Sequence, residues 1–231
     1  MQPAAIAAAL APFTNRLSAT QLQQISTYLD LLLKWNARTN LTAVRKPDEI
    51  LTRHFGESFF LAETLFSNSP IPRFPDYPMP PARSLDSPIV FDLGSGAGFP
   101  GLPLAIYAPY ARITLLESQN KKATFLKEVA RALTLTNVNV FSGRAETYAA
   151  EARERSWPAA ADVVTLRAVE KFAQSLPLAA SLLSPGGRLA LLIGESQLAA
   201  ARQSLPDFSW CDPLPLPLSR SRILLIGRKA T

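Results

Sequence analysis

The chain has one cysteine, Cys211, and one histidine, His54, in 231 residues. A lone thiol excludes an intramolecular disulfide and any cysteine-rich zinc site, and the expected compartment is the reducing cytoplasm. Eighteen uninterrupted apolar residues occur nowhere, so no membrane span is expected. The opening stretch MQPAAIAAALAPF is alanine-rich but lacks the basic n-region and sustained apolar run of a secretion signal. Acid is the scarcer charge: 18 Asp+Glu face 24 Lys+Arg, a formal net +6 that favours polyanionic partners without identifying one. A hydrophobic content of 48% is enough for a core of one large domain, or of one domain with a helical appendage.

The run LSATQLQQISTYLDLLLKWN sets Leu22, Ile25, Leu29, Leu32, Leu33 and Trp35 at helical spacing behind the cap candidates Ser18 and Thr20, which predicts one long amphipathic helix. Pro47, with Asp48 and Glu49 after it, reads as a first helical turn that EILTRHFGESFFLAETLF continues. Residues 1–66 are therefore expected to form a helical cap. Residues 67–88 hold prolines at positions 70, 72, 75, 78, 80, 81 and 88, which bars a helix or a central strand and predicts a linker or surface loop, with a polyproline ligand as the functional alternative. From residue 89 to 231, short β-rich runs (IVFDL, RITLLE, VNVFS, DVVTLRA, GRLALLIG) alternate with helix-like segments. That order predicts an α/β domain with a mostly parallel, doubly wound Rossmann-like sheet, and the tail ILLIGRK adds a strand that could run antiparallel. Right-handed crossovers would bring the strand ends and their loops to one ligand-binding edge.

The connection VFDLGSGAGFPGLPLAI runs from the first strand into a helix. Gly94, Gly96 and Gly98 allow a tight turn and close approach of a ligand, and the helix start offers free N–H groups. Gly96, Gly98 and Gly101 also satisfy G-x-G-x-x-G, and Glu117 lies 21 residues after Gly96, as a dinucleotide fold would have it. Pro100 and Pro103 around the third glycine argue against that reading, and the absence of a GK[ST] step excludes a P-loop.

The pattern D-x-G-x-G-x-G, formed by Asp92, Gly94, Gly96 and Gly98, with an acid at the end of the second strand, resembles motif I of class I S-adenosylmethionine-dependent methyltransferases. In that family the turn wraps the methionine end of S-adenosyl-L-methionine, and the acid, here Glu117, receives the ribose hydroxyls. The segments LLLKWNARTNLTAVRKPDEILTRHF, DLGSGAGFPGLPLAI, LLESQNKKATFL, GRAE and LRAV together resemble the bacterial small-subunit rRNA guanine-N7 methyltransferase G family, also called glucose-inhibited division protein B, from about Leu31 to Val169. The resemblance implies that Gly94 and Phe99 line the cofactor site and that Ala145 and Glu146 meet the adenine edge. It also implies that Arg167 stands beside the reaction centre as the candidate catalytic residue and a cofactor contact. Two positions depart from the family pattern: Glu57 stands where Asp is common in RH-x-x-D-S, and Ile193 where Lys is common.

The chemistry agrees with an N7 target. The [DNS]-P-P-[YFW] motif of exocyclic-amine methylation is replaced by TLRA after the fourth strand, and Cys211 sits in FSWCDP, outside an expected active-site loop, which disfavours carbon-5 methylation. Guanine N7 carries an in-plane lone pair, so alignment and water exclusion suffice and His54 need not be a base; a packed or hydrogen-bonded histidine is expected. No metal is called for. The expected partner is 16S rRNA or an assembling small ribosomal subunit, gripped by a monomer through a basic rim of Lys34, Arg38, Arg45, Lys46 and Arg53 in the cap, Lys121 and Lys122 after the second strand, and Arg220 and Arg222 before the last. Alternatives are a class I methyltransferase acting on another RNA position or a small molecule, a nicotinamide-dependent oxidoreductase, and a non-catalytic RNA-binding protein.

Overall fold

Helical periodicity in the first third of the chain becomes a set of short helices around one long one. The computed structural model describes residues 1–67, 87–155, 157–167 and 172–230. Helices α1 (Pro3–Leu10), α2 (Ala19–Thr39), α3 (Pro47–Ile50) and α4 (Glu57–Phe66) build this part, and a π-helical turn, Leu51–Gly56, joins the last two. Ser18 caps α2: its side chain accepts from Gln21 N while the Gln21 side chain accepts from Ser18 N. Thr20 lies inside the helix, and Asn40 at φ 49° ends it in a left-handed turn. Pro47 takes the first position of α3, where its missing N–H costs nothing. Helix α1, within the stretch expected to be a helical cap, buries Ile6 and Leu10.

Beyond Ser87 the chain alternates β1 (Ile89–Leu93), α5 (Gly101–Tyr107), β2 (Arg112–Glu117), α6 (Asn120–Ala132), β3 (Val138–Ser142), α7 (Ala145–Glu154), β4 (Ala161–Arg167), α8 (Phe172–Ser181), β5 (Leu183–Gly194) and α9 (Leu198–Ser204). Strands β6 (Phe208–Trp210), β7 (Leu214–Pro215) and β8 (Arg222–Lys229) complete one eight-stranded sheet in the order β3-β2-β1-β4-β5-β8-β6, with β7 also on β8. The first five strands pair in parallel, and β8, the strand formed by the tail, runs antiparallel to β5, one of the two directions the sequence leaves open. Successive residues of each strand face opposite layers. Val90, Val163, Ala190, Leu192, Leu224 and Ile226 join α5, α6 and the N-terminal helices in one core, while Phe91, Leu93, Val164, Leu166, Leu191 and Leu225 join α7, α8 and α9 in the other.

The N-terminal helices share that first core with the sheet: Ile25, Tyr28, Leu32, Phe55 and Phe59 pack with Leu102, Phe125 and Leu126. Burying this many aliphatic and aromatic side chains at ~1.5–3 kcal/mol each fixes the cap firmly over one face. Cys211 is buried in the same layer, its N–H bonded to Ile226 O, and burial raises its thiol pKa. The proline-rich stretch lies outside the described residues over 68–86, as do Ala168 and Val169. Among the described residues no helix is long and apolar enough to cross a membrane.

Candidate active site

Three left-handed glycines make the turn after β1, Gly94 (φ 71°), Gly96 (φ 57°) and Gly98 (φ 91°). The turn is tied back at several points. Gly94 N and Ser95 N both donate to Leu116 O of β2, at 2.9 and 3.2 Å, and Ser95 Oγ donates to Asp92 O. Asp92, buried at the end of β1, accepts from Gly101 N at 3.2 Å and from Thr165 Oγ1 at 2.7 Å, so one carboxylate joins β1, β4 and the start of α5. Burial raises its pKa to about 6, against the stabilising bonds from Thr165, Ser95 and Gly101. From the cap, the Tyr28 hydroxyl donates to Ala97 O, and its ring stacks on Phe99 at 5.2 Å.

The glycines have separate duties. A Cβ on Gly98 would lie 2.5 Å from both Leu102 Cδ1 and the Tyr28 hydroxyl, so this position is small because the cap presses on it. A Cβ on Gly101 would strike Leu115 and Asp92, which makes this glycine a helix-to-strand contact despite the prolines beside it. The objection to G-x-G-x-x-G drawn from those prolines therefore fails. What departs from a dinucleotide fold is the strand beyond β5, which is antiparallel. Gly96 differs again: the nearest atom to its Cβ would be Gly94 O at 3.8 Å, and it faces open space where a ligand can approach the backbone.

Glu117, 4% exposed at the end of β2, accepts from Gly96 N at 2.8 Å with one oxygen and from Gln119 N at 2.7 Å with the other. An ionised carboxylate has about four lone-pair sites, so two acceptor positions are left for hydroxyl donors. Gly143 N donates to Glu117 O, which brings the end of β3 and the buried Ala145 alongside, with Glu146 exposed in the first turn of α7.

At the end of β4, Arg167 Nη2 donates to Arg53 O at 2.7 Å and to His54 Nδ1 at 2.7 Å, and lies 3.3 Å from Glu57 Oε2. Its guanidinium stands 5.9 Å over the Phe99 ring. Burial chiefly, and then Arg167 and Arg53, lowers the His54 pKa to about 3, so the ring is neutral. An arginine only donates, so Nδ1 is the acceptor and Nε2 carries the hydrogen, given to Thr42 Oγ1 at 2.7 Å. Glu57, 2% exposed, also accepts a bidentate pair from Arg222 Nε and Nη2 at 2.9 and 3.0 Å. Among the described residues, Arg167 Nε is a buried side-chain donor with no partner. In a well-satisfied interior such a group calls for an explanation, and a ligand is one.

The basic residues gather at this edge. Antiparallel pairing puts Arg222 opposite Gly194, at the end of β5, beside the C-terminal ends of β1 to β4. Arg220 precedes it, and Lys121 and Lys122 open α6 just after Glu117. The C-terminal end of α2, with Lys34 and Arg38 exposed, reaches the same place through Asn36, which bonds Thr42, the partner of His54. Not all these cations are free: Arg45 donates to Asn36 O and Asn40 Oδ1, Arg53 pairs with Glu49 at 3.1 Å, and Arg222 is held by Glu57. Sequence reasoning missed Tyr28, Thr42 and Thr165, and it noted Glu57 only as a departure.

The geometry fits S-adenosylmethionine: an open glycine face, an acid with spare acceptor sites and an unpaired buried donor surround one turn. Comparison with known proteins agrees. A family model described as GidB, rRNA small subunit methyltransferase G, matches residues 21–76 and 78–212. The ribosomal RNA small subunit methyltransferase G of Chloroflexus aggregans is 37% identical over 220 residues, covering 92% of this chain and 84% of that protein. Its namesake from Streptococcus pyogenes serotype M12 is 33% identical over 193 residues, covering 82% and 73%. Among solved structures, a "predicted O-methyltransferase" of Agrobacterium tumefaciens superposes with a TM-score of 0.51 at 21% identity, over 62% of this chain and 74% of that one, a likeness of fold. The chain therefore belongs to the rRNA small subunit methyltransferase G family, S-adenosylmethionine-dependent enzymes that modify the RNA of the small ribosomal subunit.

Proposed function

We propose that this protein methylates N7 of one guanine in 16S rRNA, acting in the cytoplasm as a monomer on an assembling small subunit. The observation that carries the choice of N7 is that neither His54 nor Asp92 offers an accessible base. His54 Nδ1 is bonded to Arg167, and Asp92, 1% exposed, is enclosed beneath the turn with its oxygens bonded to Thr165 and Gly101. A nucleophile that must lose a proton would find no base there, whereas N7 has its lone pair ready. Bound S-adenosylmethionine would supply a sulfonium methyl group.

The chain's own residues position and enclose. Gly94, Gly96 and Gly98 would admit the methionine end, and Glu117 would accept from the ribose hydroxyls. Ala145 and Glu146 would border the adenine, and Phe99 would form the apolar wall that Tyr28 backs. Arg167, with its Nη2 edge anchored on the cap, would turn its free Nε–H toward cofactor and target base, fixing the approach. Lys34, Arg38, Arg45, Arg53, Lys121, Lys122, Arg220 and Arg222 would face RNA phosphates. Nucleoside mass spectrometry of 16S rRNA from cells with and without the protein tests the reading. Loss of one 7-methylguanosine is expected on deletion, and an unchanged level overturns the N7 assignment.

A further inference from the structure

Beside the transfer site, a cavity of about 240 Å³ opens between the cap and the turn that leads into β8, lined by Thr52, Arg53, Glu57, Leu218, Arg220 and Arg222 among others. We propose that this cavity is a second RNA subsite, which takes the phosphate and base of a nucleotide adjacent to the target guanine. The proposal rests on the rRNA-methyltransferase reading above and adds to it where the neighbouring nucleotide lies.

Two residues that line the cavity also hold Arg167: Arg53 through its carbonyl and Glu57 through Oε2. The cavity and Arg167 thus lie on either side of Arg53 and Glu57, and a strand delivering a base to Arg167 would pass close to the opening. The lining carries three guanidiniums, of Arg53, Arg220 and Arg222, against one carboxylate, Glu57, and is net cationic; Arg222 is paired with Glu57 and Arg53 with Glu49. Arg220 is exposed and forms no hydrogen bond or ion pair among the described residues, which leaves its fork open for a phosphate. The hydroxyls of Thr52, Ser219 and Ser221 add groups able to bond a phosphate or a ribose 2′-OH.

Leu218 stands at the mouth of the cavity. It is 73% exposed and left-handed at φ 59°, an unfavourable conformation for a branched side chain. The turn around it is not loose: Leu216 is buried, Ser219 N donates to Leu216 O, and Ser219 Oγ accepts from Arg222 N. A rigid turn therefore presents an apolar side chain to solvent next to an open guanidinium. An unstacked base with its phosphate offers the complementary pair of surfaces. The volume suits one nucleotide moiety, being below the ~300–1,000 Å³ of sites for larger ligands.

The test compares Arg220→Gln with Arg112→Gln, an equal charge loss at the exposed start of β2 on the opposite sheet edge. Methyl transfer to 16S rRNA and rRNA affinity are measured over a range of salt, with S-adenosylhomocysteine binding as the check on the cofactor site. Arg220→Gln is expected to weaken rRNA binding roughly three- to tenfold and to lower the salt slope by about one, with cofactor binding unchanged and Arg112→Gln near wild type. A photo-crosslinking amino acid placed at Leu218 should attach within two nucleotides of the methylated guanine. Equal behaviour of the two arginine variants, or crosslinks elsewhere, overturns the subsite alone. Absence of transfer by the wild-type protein overturns the function reading and the subsite with it.

Discussion

The neutral ring of His54 accepts a hydrogen bond from Arg167 across 113 positions of sequence, at 2.7 Å, and so fixes the arginine that ends β4 to the π-helical turn of the cap. Replacing the acceptor should misplace the guanidinium without removing it. His54→Phe is expected to lower kcat about ten- to a hundredfold, the range for losing a hydrogen bond to a charged group worth ~1.5–3 kcal/mol. His54→Asn, which keeps an acceptor oxygen, should recover part of the loss. Steady-state kinetics with separate kcat and KM distinguish this from a folding defect, and a Phe variant as active as wild type would refute it.

The same ring makes stability depend on acid. Its folded pKa, about 3, lies below the ordinary 6.5, so between those values the unfolded chain binds a proton that the folded chain does not. Stability from His54 is therefore lost as pH falls from about 6.5 toward 3, by at most about 1.4 kcal/mol per pH unit. Asp92 works the other way, because burial raises it from 3.8 to about 6 and the folded state takes up the proton first. Denaturant unfolding of wild type and His54→Phe from pH 7 to pH 3 should show the wild-type stability falling more steeply. Parallel curves would mean that the ring titrates alike in both states.

Gly96 and Gly98, two residues apart and both left-handed, should respond differently to alanine. At Gly98 the new methyl meets Tyr28 and Leu102, so the protein should lose several degrees of thermal stability. At Gly96 the methyl enters open space, costing only the ~1–2 kcal/mol of left-handed backbone while obstructing the ligand's approach. Calorimetric S-adenosylhomocysteine titration should show at least tenfold weaker binding for Gly96→Ala, with Tm lowered only by the few degrees of backbone strain and less than in Gly98→Ala, where the clash adds to the same strain. Normal affinity in that variant would remove the turn from the cofactor site.

Glu57 is the buried counter-charge of two arginines, and Glu57→Gln would leave both guanidiniums around a neutral amide. Removing one partner from a buried charge cluster costs about 3–5 kcal/mol, which in a protein of this size lowers Tm by roughly 6–20 °C. Glu57→Asp keeps the charge on a shorter arm and should fall between. A Gln variant that melts with the wild type would show that the cluster contributes no net stability.

Much of this architecture was legible because hydrophobic periodicity switches from helical spacing to short apolar runs at residue 89. Four of the runs, IVFDL, RITLLE, VNVFS and ILLIGRK, match their strands to within one residue. Strands β6 and β7 escaped notice because three and two residues between prolines are too short to show alternation. The glycine turn and Glu117 were readable from spacing, since Gly96 and Glu117 sit at adjacent strand ends and are directly bonded. The clamps were not. Tyr28 lies on the apolar stripe with Ile25 and Leu32 and looks like core, yet its hydroxyl finds Ala97, 69 positions away. Glu57 meets Arg222 over 165 positions, a pairing that only the antiparallel return of β8 creates. The basic set was readable as charge, but that Arg222 is spent on Glu57 while Arg220 stays open follows from tertiary contacts alone.

The most direct test is transfer of a labelled methyl group from S-adenosylmethionine to small-subunit RNA by the purified protein, with the label located by nuclease mapping and mass spectrometry. One labelled 7-methylguanosine in 16S rRNA is expected, formed by wild type and lost in Glu117→Ala. Label on another atom or base, or undiminished transfer by Glu117→Ala, would contradict this expectation.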